Sequence, residues 1–289
     1  MPAREQLLAA LVAFIWGVSF IPVKYGVEEV PPLMLSALRF IFTAFPAMLF
    51  IKPPKAPLWV IIAYGTALGI GQFGLVFSAL HLGAPVGMTA IVVQTQVFFT
   101  LILTVILFRE KPLWFQVAGT LIAFAGVVLI GQRRAGGAEL MPFLLVLAGA
   151  FCWGCANVIG KKAGRIDMLS FVVWTSLVSP IPLTLLSLWL DGAGETAKVL
   201  HPSWSLVLIV AILAYPATIF CFGVWSHLLS RYPAALVAPF ALLVPVFGLL
   251  SAAFVLGETI TAIELIGGTL VMAGLLCTIY GANLTRRFR

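Results

Sequence analysis

The chain has 289 residues, of which 62% are hydrophobic and only 9% are charged, and its formal net charge is +7. A soluble domain is about 45–50% apolar and about 25% charged, so this composition disfavours a soluble enzyme, a disordered protein and a nucleic-acid binder. The basic residues do not cluster with aromatic residues as they do in nucleic-acid-binding proteins. An excess of positive charge is typical instead of the cytoplasmic surface of a membrane protein.

Ten apolar segments follow one another along the chain, and each is close to the roughly 20 residues that a helix needs to cross a bilayer core about 30 Å thick. They cover residues 7–25, 33–51, 57–80, 86–107, 113–131, 141–160, 169–190, 204–229, 233–256 and 262–281. Prolines stand at or near most segment starts, where a missing N–H costs least. The sequence therefore predicts an all-α, polytopic membrane protein with ten transmembrane helices.

The basic residues are distributed unequally between the two ends of these segments. With ten spans both termini lie on one side of the membrane. Of the 17 Lys and Arg residues, 12 fall on that side, 4 fall on the other, and Arg39 stands inside the second span. Since cytoplasmic loops carry the excess of Lys and Arg, we expect both termini in the cytoplasm and the chain in the cell inner (plasma) membrane.

The two halves of the chain resemble each other. Ala-Phe-Ile-Trp-Gly at 13–17 matches Ala-Phe-Cys-Trp-Gly at 150–154. A second match runs at a constant offset of 148 and pairs Pro85, Phe99, Glu110, Gly119 and Gly126 with Pro233, Phe247, Glu258, Gly267 and Gly274. We therefore expect two repeats, residues 1–135 and 136–289. Because each repeat has five helices, an odd number, the second repeat enters the membrane from the opposite side and is inverted. Inverted repeats are typical of transporters that work by alternating access.

Polar and aromatic residues inside the spans are the candidates for a central substrate cavity, because polar groups facing lipid are costly. They are Trp16, Ser19, Gln72, Gln94, Gln96, Trp153, Asn157, Tyr215 and Trp225. Gln96 shares a helix face with Thr89 and Thr100. Two other interpretations stay open for this set: amides that hold helices together, and tryptophans of the interfacial belt.

Arg39, Glu110 and Glu258 are expected to act through structure and charge. Arg39 could bind a substrate carboxylate in a bidentate pair, or it could reach an interface or bond carbonyls at a helix end. The two glutamates follow the fourth and ninth spans, where they could cap or pair with helix ends. Four prolines inside spans are candidate hinges: Pro22, Pro216, Pro239 and Pro245.

No cofactor or metal is expected from the sequence. Cys152 and Cys155 form a CxxC pair, but it lies in a hydrophobic run without a His or second pair nearby, so small buried helix residues are favoured. No Asp or Glu stands at mid-span, so no carboxylate proton carrier or sodium site is visible. The expected partners are a small-molecule substrate and the lipid bilayer, without nucleic acid, and the oligomeric state is left open.

These features together resemble the drug/metabolite transporter superfamily, in its EamA type. The residues that carry the resemblance are Trp-Gly in the first and sixth spans, Leu38-Arg39-Phe40 in the second, and Glu110 and Glu258. Arg39 has no counterpart in the second half. The stretches 31–40, 93–99 and 237–252 are similar to exporters of cysteine and O-acetylserine. The resemblance implies an exporter of amino acids and related metabolites; the alternatives are drug efflux, nucleotide-sugar exchange, a channel or a membrane-embedded enzyme.

Overall fold

The computed structural model describes residues 1–109, 111–134, 139–164 and 166–287. Within these ranges the chain forms helices and turns without a β-strand. We label the ten long helices α1 to α10; they cover Ala3–Glu29, Pro32–Leu49, Leu58–His81, Val86–Phe108, Trp114–Arg134, Leu140–Ala163, Met168–Leu190, Trp204–Arg231, Leu236–Leu256 and Ala262–Arg287. Among the described residues, α1 to α9 are long and apolar enough to cross a membrane, and α10 contributes a shorter apolar stretch, Ala262–Thr278. The predicted all-α architecture of ten helices is confirmed.

The helices bury one large apolar core and leave a broad apolar surface. The core contains Leu35 of α2, Phe77 of α3 and Leu213 of α8, each 2% exposed or less. Large apolar side chains such as Phe254 and Trp204 are more than four-fifths exposed. An apolar surface of this extent is unfavourable in water and fits a lipid environment, so the chain is a multi-pass membrane protein.

Helices α5 and α10 pack together through four glycines. A Cβ on Gly126 would lie 2.4 Å from the carbonyl oxygen of Gly267, and one on Gly274 would lie 2.3 Å from that of Gly119. Only residues without a side chain allow two helix backbones to approach so closely. Gly119 and Gly126 correspond to Gly267 and Gly274 at the offset of 148. The contact of Gly126 with Gly267 is therefore equivalent to the contact of Gly274 with Gly119.

A second pair of contacts repeats in the same way. A Cβ on Gly17 of α1 would lie 2.7 Å from Cβ of Phe247 in α9, and one on Gly154 of α6 would lie 2.8 Å from Cβ of Phe99 in α4. The two glycines follow the matching tryptophans, and the two phenylalanines match at the offset of 148. The repeated Trp-Gly motif therefore packs against the repeated Phe of the opposite half.

Several helices are interrupted inside the membrane span. α1 is broken at Ser19, three residues before Pro22, and α9 is broken at Leu242, between Pro239 and Pro245. Proline lacks the N–H of a helical hydrogen bond and disturbs the preceding turn, which explains both breaks. α4 contains a 3₁₀ turn at Val93–Thr95, which is the position that matches residues 241–243 at the offset of 148.

Helices α3 and α8 both contain a π-helical stretch at mid-span. These stretches cover Thr66–Gly74 and Tyr215–Phe220, and the second includes Pro216. At the offset of 148, residues 67–72 match residues 215–220, so the two stretches occupy equivalent positions. π-Helical turns are rare and occur frequently at functional sites, which directs attention to the space between these two helices.

Candidate functional site

A small cavity lies where α2, α3, α7 and α8 meet. Its volume is about 20 Å³, and its polar lining consists of Arg39, Thr175, Ser176, Ser179 and Thr218. Thr218 stands 14 residues after the start of α8 and 13 before its end, which is the middle of the span. The cavity therefore lies near mid-depth of the membrane, where transporters of inverted-repeat architecture bind their substrates.

Arg39 is held inside this cavity rather than at the membrane surface. The residue is only 6% exposed. Its Nη2 donates a hydrogen bond to Oγ1 of Thr218 at 3.0 Å, and its guanidinium carbon lies 4.0 Å from the centre of the Phe73 ring. The Nε atom is buried without a hydrogen-bond partner among the described residues. Of the alternatives for Arg39, an extension to an interface does not agree with this burial.

Four residues with hydroxyl groups line the cavity together with Arg39. Thr175, Ser176, Ser179 and Thr218 each donate their hydroxyl hydrogen to a backbone carbonyl, at 2.7–3.0 Å. Since each proton is already used, the oxygen atoms offer their lone pairs to any further group. The cavity therefore combines one positive donor, Arg39, with a set of neutral acceptors.

The break in α7 brings two of these hydroxyls into the cavity. The helix stops at Thr175 and resumes at Pro180. Ser176 and Ser179 stand in the turn between the two halves, and both line the cavity. Since Pro180 cannot donate to a carbonyl in the preceding turn, the interruption follows from the local sequence.

An aromatic cluster adjoins the cavity. The ring of Phe222, which lines the cavity, lies 5.4 Å from the ring of Trp16, which in turn lies 5.3 Å from Trp225. The indole Nε1 of Trp16 donates to the carbonyl of Ala217 at 2.9 Å, so the ring is oriented by the π-helical stretch of α8. The structure therefore brings together two of the predicted residues, Trp16 and Trp225.

A separate amide cluster joins α4 to α6. Nδ2 of Asn157 donates to Oε1 of Gln96 at 2.6 Å and to Oγ1 of Thr100 at 3.1 Å. Two further predicted residues, Gln96 and Asn157, thus contact each other, but none of the described contacts joins them to Arg39. Their mutual hydrogen bonds are equally those expected of interhelical packing.

The other predicted residues lie in different surroundings. Gln72 and Gln94 are buried, and Oε1 of Gln72 has no hydrogen-bond partner among the residues described. Ser19 donates to the carbonyl of Trp16 at 2.7 Å at the break in α1. Trp153 packs at the edge of the core, whereas Tyr215 is 40% exposed. These residues do not form one site with Arg39 in the described contacts.

Sequence reasoning missed the four hydroxyl residues of the cavity, Thr175, Ser176, Ser179 and Thr218. A signal for them exists, because each is a small polar residue inside a span and two of the four stand within two residues of a proline, Pro216 or Pro180. What the sequence could not supply is the long-range contact that puts Thr218 against Arg39, 179 residues away.

Glu258 lies at a helix end, as expected. Its carboxylate accepts hydrogen bonds from the backbone N–H groups of Val86 at 2.7 Å and Gly87 at 3.0 Å, so it caps α4 from the opposite half. Glu110, its counterpart, lies outside the described residues. Glu258 also lines a larger cavity of about 410 Å³ together with Glu139 and Glu264. No group of three potential metal-ligating side chains converges within the described ranges.

Comparison with known proteins gives a consistent result. The model of the EamA-like transporter family matches residues 3–132 and 140–280. The chain is 40% identical to a probable amino-acid metabolite efflux pump of Salmonella typhimurium, covering 100% of this chain and 99% of that protein. It is 30% identical to an uncharacterized inner membrane transporter, YedA, of Escherichia coli strain K12, covering 94% and 90%. A solved crystal structure with 22% identity superposes over both full lengths with a TM-score of 0.64, which indicates a shared fold.

Proposed function

Because the chain belongs to the EamA-like transporter family, we propose that it exports amino acids and related small metabolites across the inner membrane by alternating access. Membership of the family makes the protein a membrane transporter rather than an enzyme. The cargo and the membrane are carried over from relatives, one named as a probable amino-acid metabolite efflux pump and another as an inner membrane transporter.

The observation that carries the mechanism is the repetition of contacts between the halves. Gly17 faces Phe247 as Gly154 faces Phe99, and the glycines of α5 face their own equivalents in α10. The separate family matches to 3–132 and 140–280 also support two repeats, residues 1–135 and 136–289. In such a molecule each half can adopt the conformation of the other, which exchanges an inward-open state for an outward-open state.

The cavity and the helix interruptions suit this mechanism. The Arg39 cavity lies at mid-depth between α2 and α3 of the first half and α7 and α8 of the second. The breaks at Ser19, Leu242 and Ser176–Ser179 and the two π-helical stretches provide points at which half-helices can tilt. We propose that the four prolines beside three of these points, Pro22, Pro216, Pro239 and Pro245, weaken the backbone hydrogen bonds there and so act as hinges.

Counterflow in proteoliposomes tests the proposal. Purified protein is reconstituted into vesicles that contain an unlabelled amino acid, and the uptake of the same labelled compound is followed for each of the twenty amino acids. We expect a transient, saturable accumulation for a subset of them. Vesicles without protein give the background, and cationic dyes serve as substrates of the drug-efflux alternative. Absence of saturable flux for every amino acid would refute the cargo, and flux of dyes alone would favour drug efflux.

A further inference from the structure

We propose that the Arg39 cavity is the subsite that binds the zwitterionic end of an α-amino acid. The guanidinium of Arg39 binds the α-carboxylate, and the hydroxyl oxygens of Ser176 and Ser179 accept hydrogen bonds from the α-ammonium group. The inference rests on the proposed function, since it identifies the part of the cargo that this transporter recognises.

The charge of Arg39 is uncompensated by an opposite charge among the described residues. The residue is 6% exposed, and none of the ion pairs among the described residues includes it. Its described polar partner is the neutral hydroxyl of Thr218. A buried charge without an opposite charge is unfavourable in a protein interior and still more so inside a membrane. A bound carboxylate would supply the missing negative charge.

The guanidinium of Arg39 has an unused hydrogen-bond donor. Thr218 uses Nη2, while Nε is buried without a partner. Arginine forms its strongest contacts when two neighbouring N–H groups donate to the two oxygens of one carboxylate. The guanidinium carbon lies 4.0 Å from the centre of the Phe73 ring, and this cation–π contact helps to hold the side chain in the cavity. The Nε–H donor of Arg39 is therefore unused before any ligand binds.

The serine hydroxyls of the cavity suit the α-ammonium group. Ser176 and Ser179 each donate to a backbone carbonyl, at 2.7 Å and 3.0 Å, so their remaining hydrogen-bonding capacity is as acceptors. An acceptor suits an ammonium group, which has three donors and no lone pair. A dicarboxylate or a phosphate would find only one positive group here and several acceptors that repel it, so the cavity favours a zwitterion over a multiply charged anion.

The size of the cavity implies that binding is coupled to movement. Its volume of about 20 Å³ holds roughly one water molecule, so an amino acid enters only when a wall moves. The wall formed by Ser176 and Ser179 is the interruption in α7, where the backbone is not held by continuous helical hydrogen bonds. Recognition of the zwitterion and opening of this cavity would therefore occur together.

Matched ligand pairs test the carboxylate arm. Thermal stabilisation of the purified full-length protein is measured with each of the twenty L-amino acids and with the corresponding α-carboxamide, which keeps the ammonium and side chain but lacks the negative charge. For the wild type, we expect each amino acid that binds to stabilise the protein at a concentration at least about tenfold lower than its amide requires. Arg39→Gln should abolish that preference, and Arg39→Lys should retain part of it.

A second set of variants tests the ammonium arm and keeps the proposal testable if Arg39→Gln does not fold. Ser176→Ala and Ser179→Ala should lose the preference for an amino acid over the acid that lacks the amino group. Arg231→Gln, at an exposed arginine at the end of α8, is the matched control and should keep both preferences. The proposal is overturned if no amino acid stabilises the wild type, or if the wild type binds amides as well as acids. It is also overturned if Arg39→Gln keeps the preference for the acid over the amide. The same holds if both serine variants keep the preference for an amino acid over the acid that lacks the amino group.

The stabilisation assay does not require transport, so the two proposals can fail separately. Loss of the acid preference in Arg39→Gln without any counterflow would refute export and retain the subsite. Counterflow of amino acids with an unchanged preference in Arg39→Gln would retain export and refute the subsite.

Discussion

Single side chains of this protein connect its two halves, and Glu258 is an example outside the cavity. Its carboxylate caps the first two N–H groups of α4, at Val86 and Gly87. Negative charge at a helix N-terminus is favourable, and a buried N–H without an acceptor is costly. The sequence predicted capping for Glu258, but only the fold identifies which helix receives the cap.

Glu258→Ala should destabilise the protein, because it removes the acceptors of two N–H groups at once. We expect a loss of about 2 kcal/mol or more, measured as a lower midpoint of thermal unfolding in detergent. Glu258→Gln keeps one carbonyl acceptor, and its unfolding midpoint should lie between those of the wild type and Glu258→Ala. Glu28→Ala is the control, because Glu28 is 56% exposed and its ion pair with Lys24 lies at the surface. Equal midpoints for the alanine variants at 258 and 28 would contradict the role of the cap.

Gln96 and Asn157 leave two functions to be separated by experiment, because their contact is compatible with packing and with a cavity. If they act as interhelical glue, Gln96→Leu and Asn157→Leu should be non-additive in stability. The expected coupling is about 0.6 kcal/mol, the mean for such bonds in membranes. If they also bind substrate, the single variants should in addition lower the flux through folded protein, which interhelical packing alone does not require. A double-mutant cycle with thermal unfolding and counterflow measured on the same four proteins distinguishes the outcomes.

At the scale of helices, the sequence predicted the spans to within a few residues but not their internal breaks. The prediction of 57–80 for the third span compares with Leu58–His81, and 86–107 for the fourth compares with Val86–Phe108. Long apolar runs determine these limits. The first span is longer than predicted, Ala3–Glu29 rather than 7–25, because polar residues at its ends continue the helix beyond the apolar core.

The internal breaks depend on contacts as well as on local sequence. Proline explains the breaks in α1 and α9, and Pro180 was a usable signal for the break in α7. The π-helical stretch at Thr66–Gly74 contains no proline, and there Gly65 and Gly69 bring α3 close against Val178 and Ser179 of α7. Such a distortion arises from long-range packing, which a pattern read along one chain does not contain.

The glycine contact between α5 and α10 yields an element-scale prediction. Gly274→Ala places a Cβ 2.3 Å from the carbonyl oxygen of Gly119, so the backbones must separate. We expect a loss of about 1–3 kcal/mol, the range for overpacking, seen as a lower unfolding midpoint. Gly223→Ala is the matched control in α8, because its nearest neighbour, Cδ2 of Leu169, lies at an ordinary 3.8 Å. A midpoint for Gly274→Ala equal to that of the control would mean that this helix pair does not limit stability.

For the whole molecule, the unequal distribution of charge predicts an orientation. Lys55 stands exposed in the loop before α3, and Thr259 stands exposed in the loop after α9. Seven helices, α3 to α9, separate them, so the two residues lie on opposite sides of the membrane. Since 12 of the 17 basic residues share the side of Lys55, the positive-inside rule puts Lys55 in the cytoplasm and Thr259 outside.

Labelling of single cysteines tests this orientation. Thr259→Cys should react with a membrane-impermeant maleimide in intact cells, and Lys55→Cys should react only after the cells are permeabilised. The unmodified chain is the background control, because its own cysteines at 152, 155, 221 and 277 lie within helices and are buried or partly buried. A reversed labelling pattern would mean that both termini lie outside the cytoplasm, and it would contradict the predicted orientation. Labelling of both sites in intact cells would contradict the odd number of crossings between them, and with it the ten-helix count on which the inverted repeat depends.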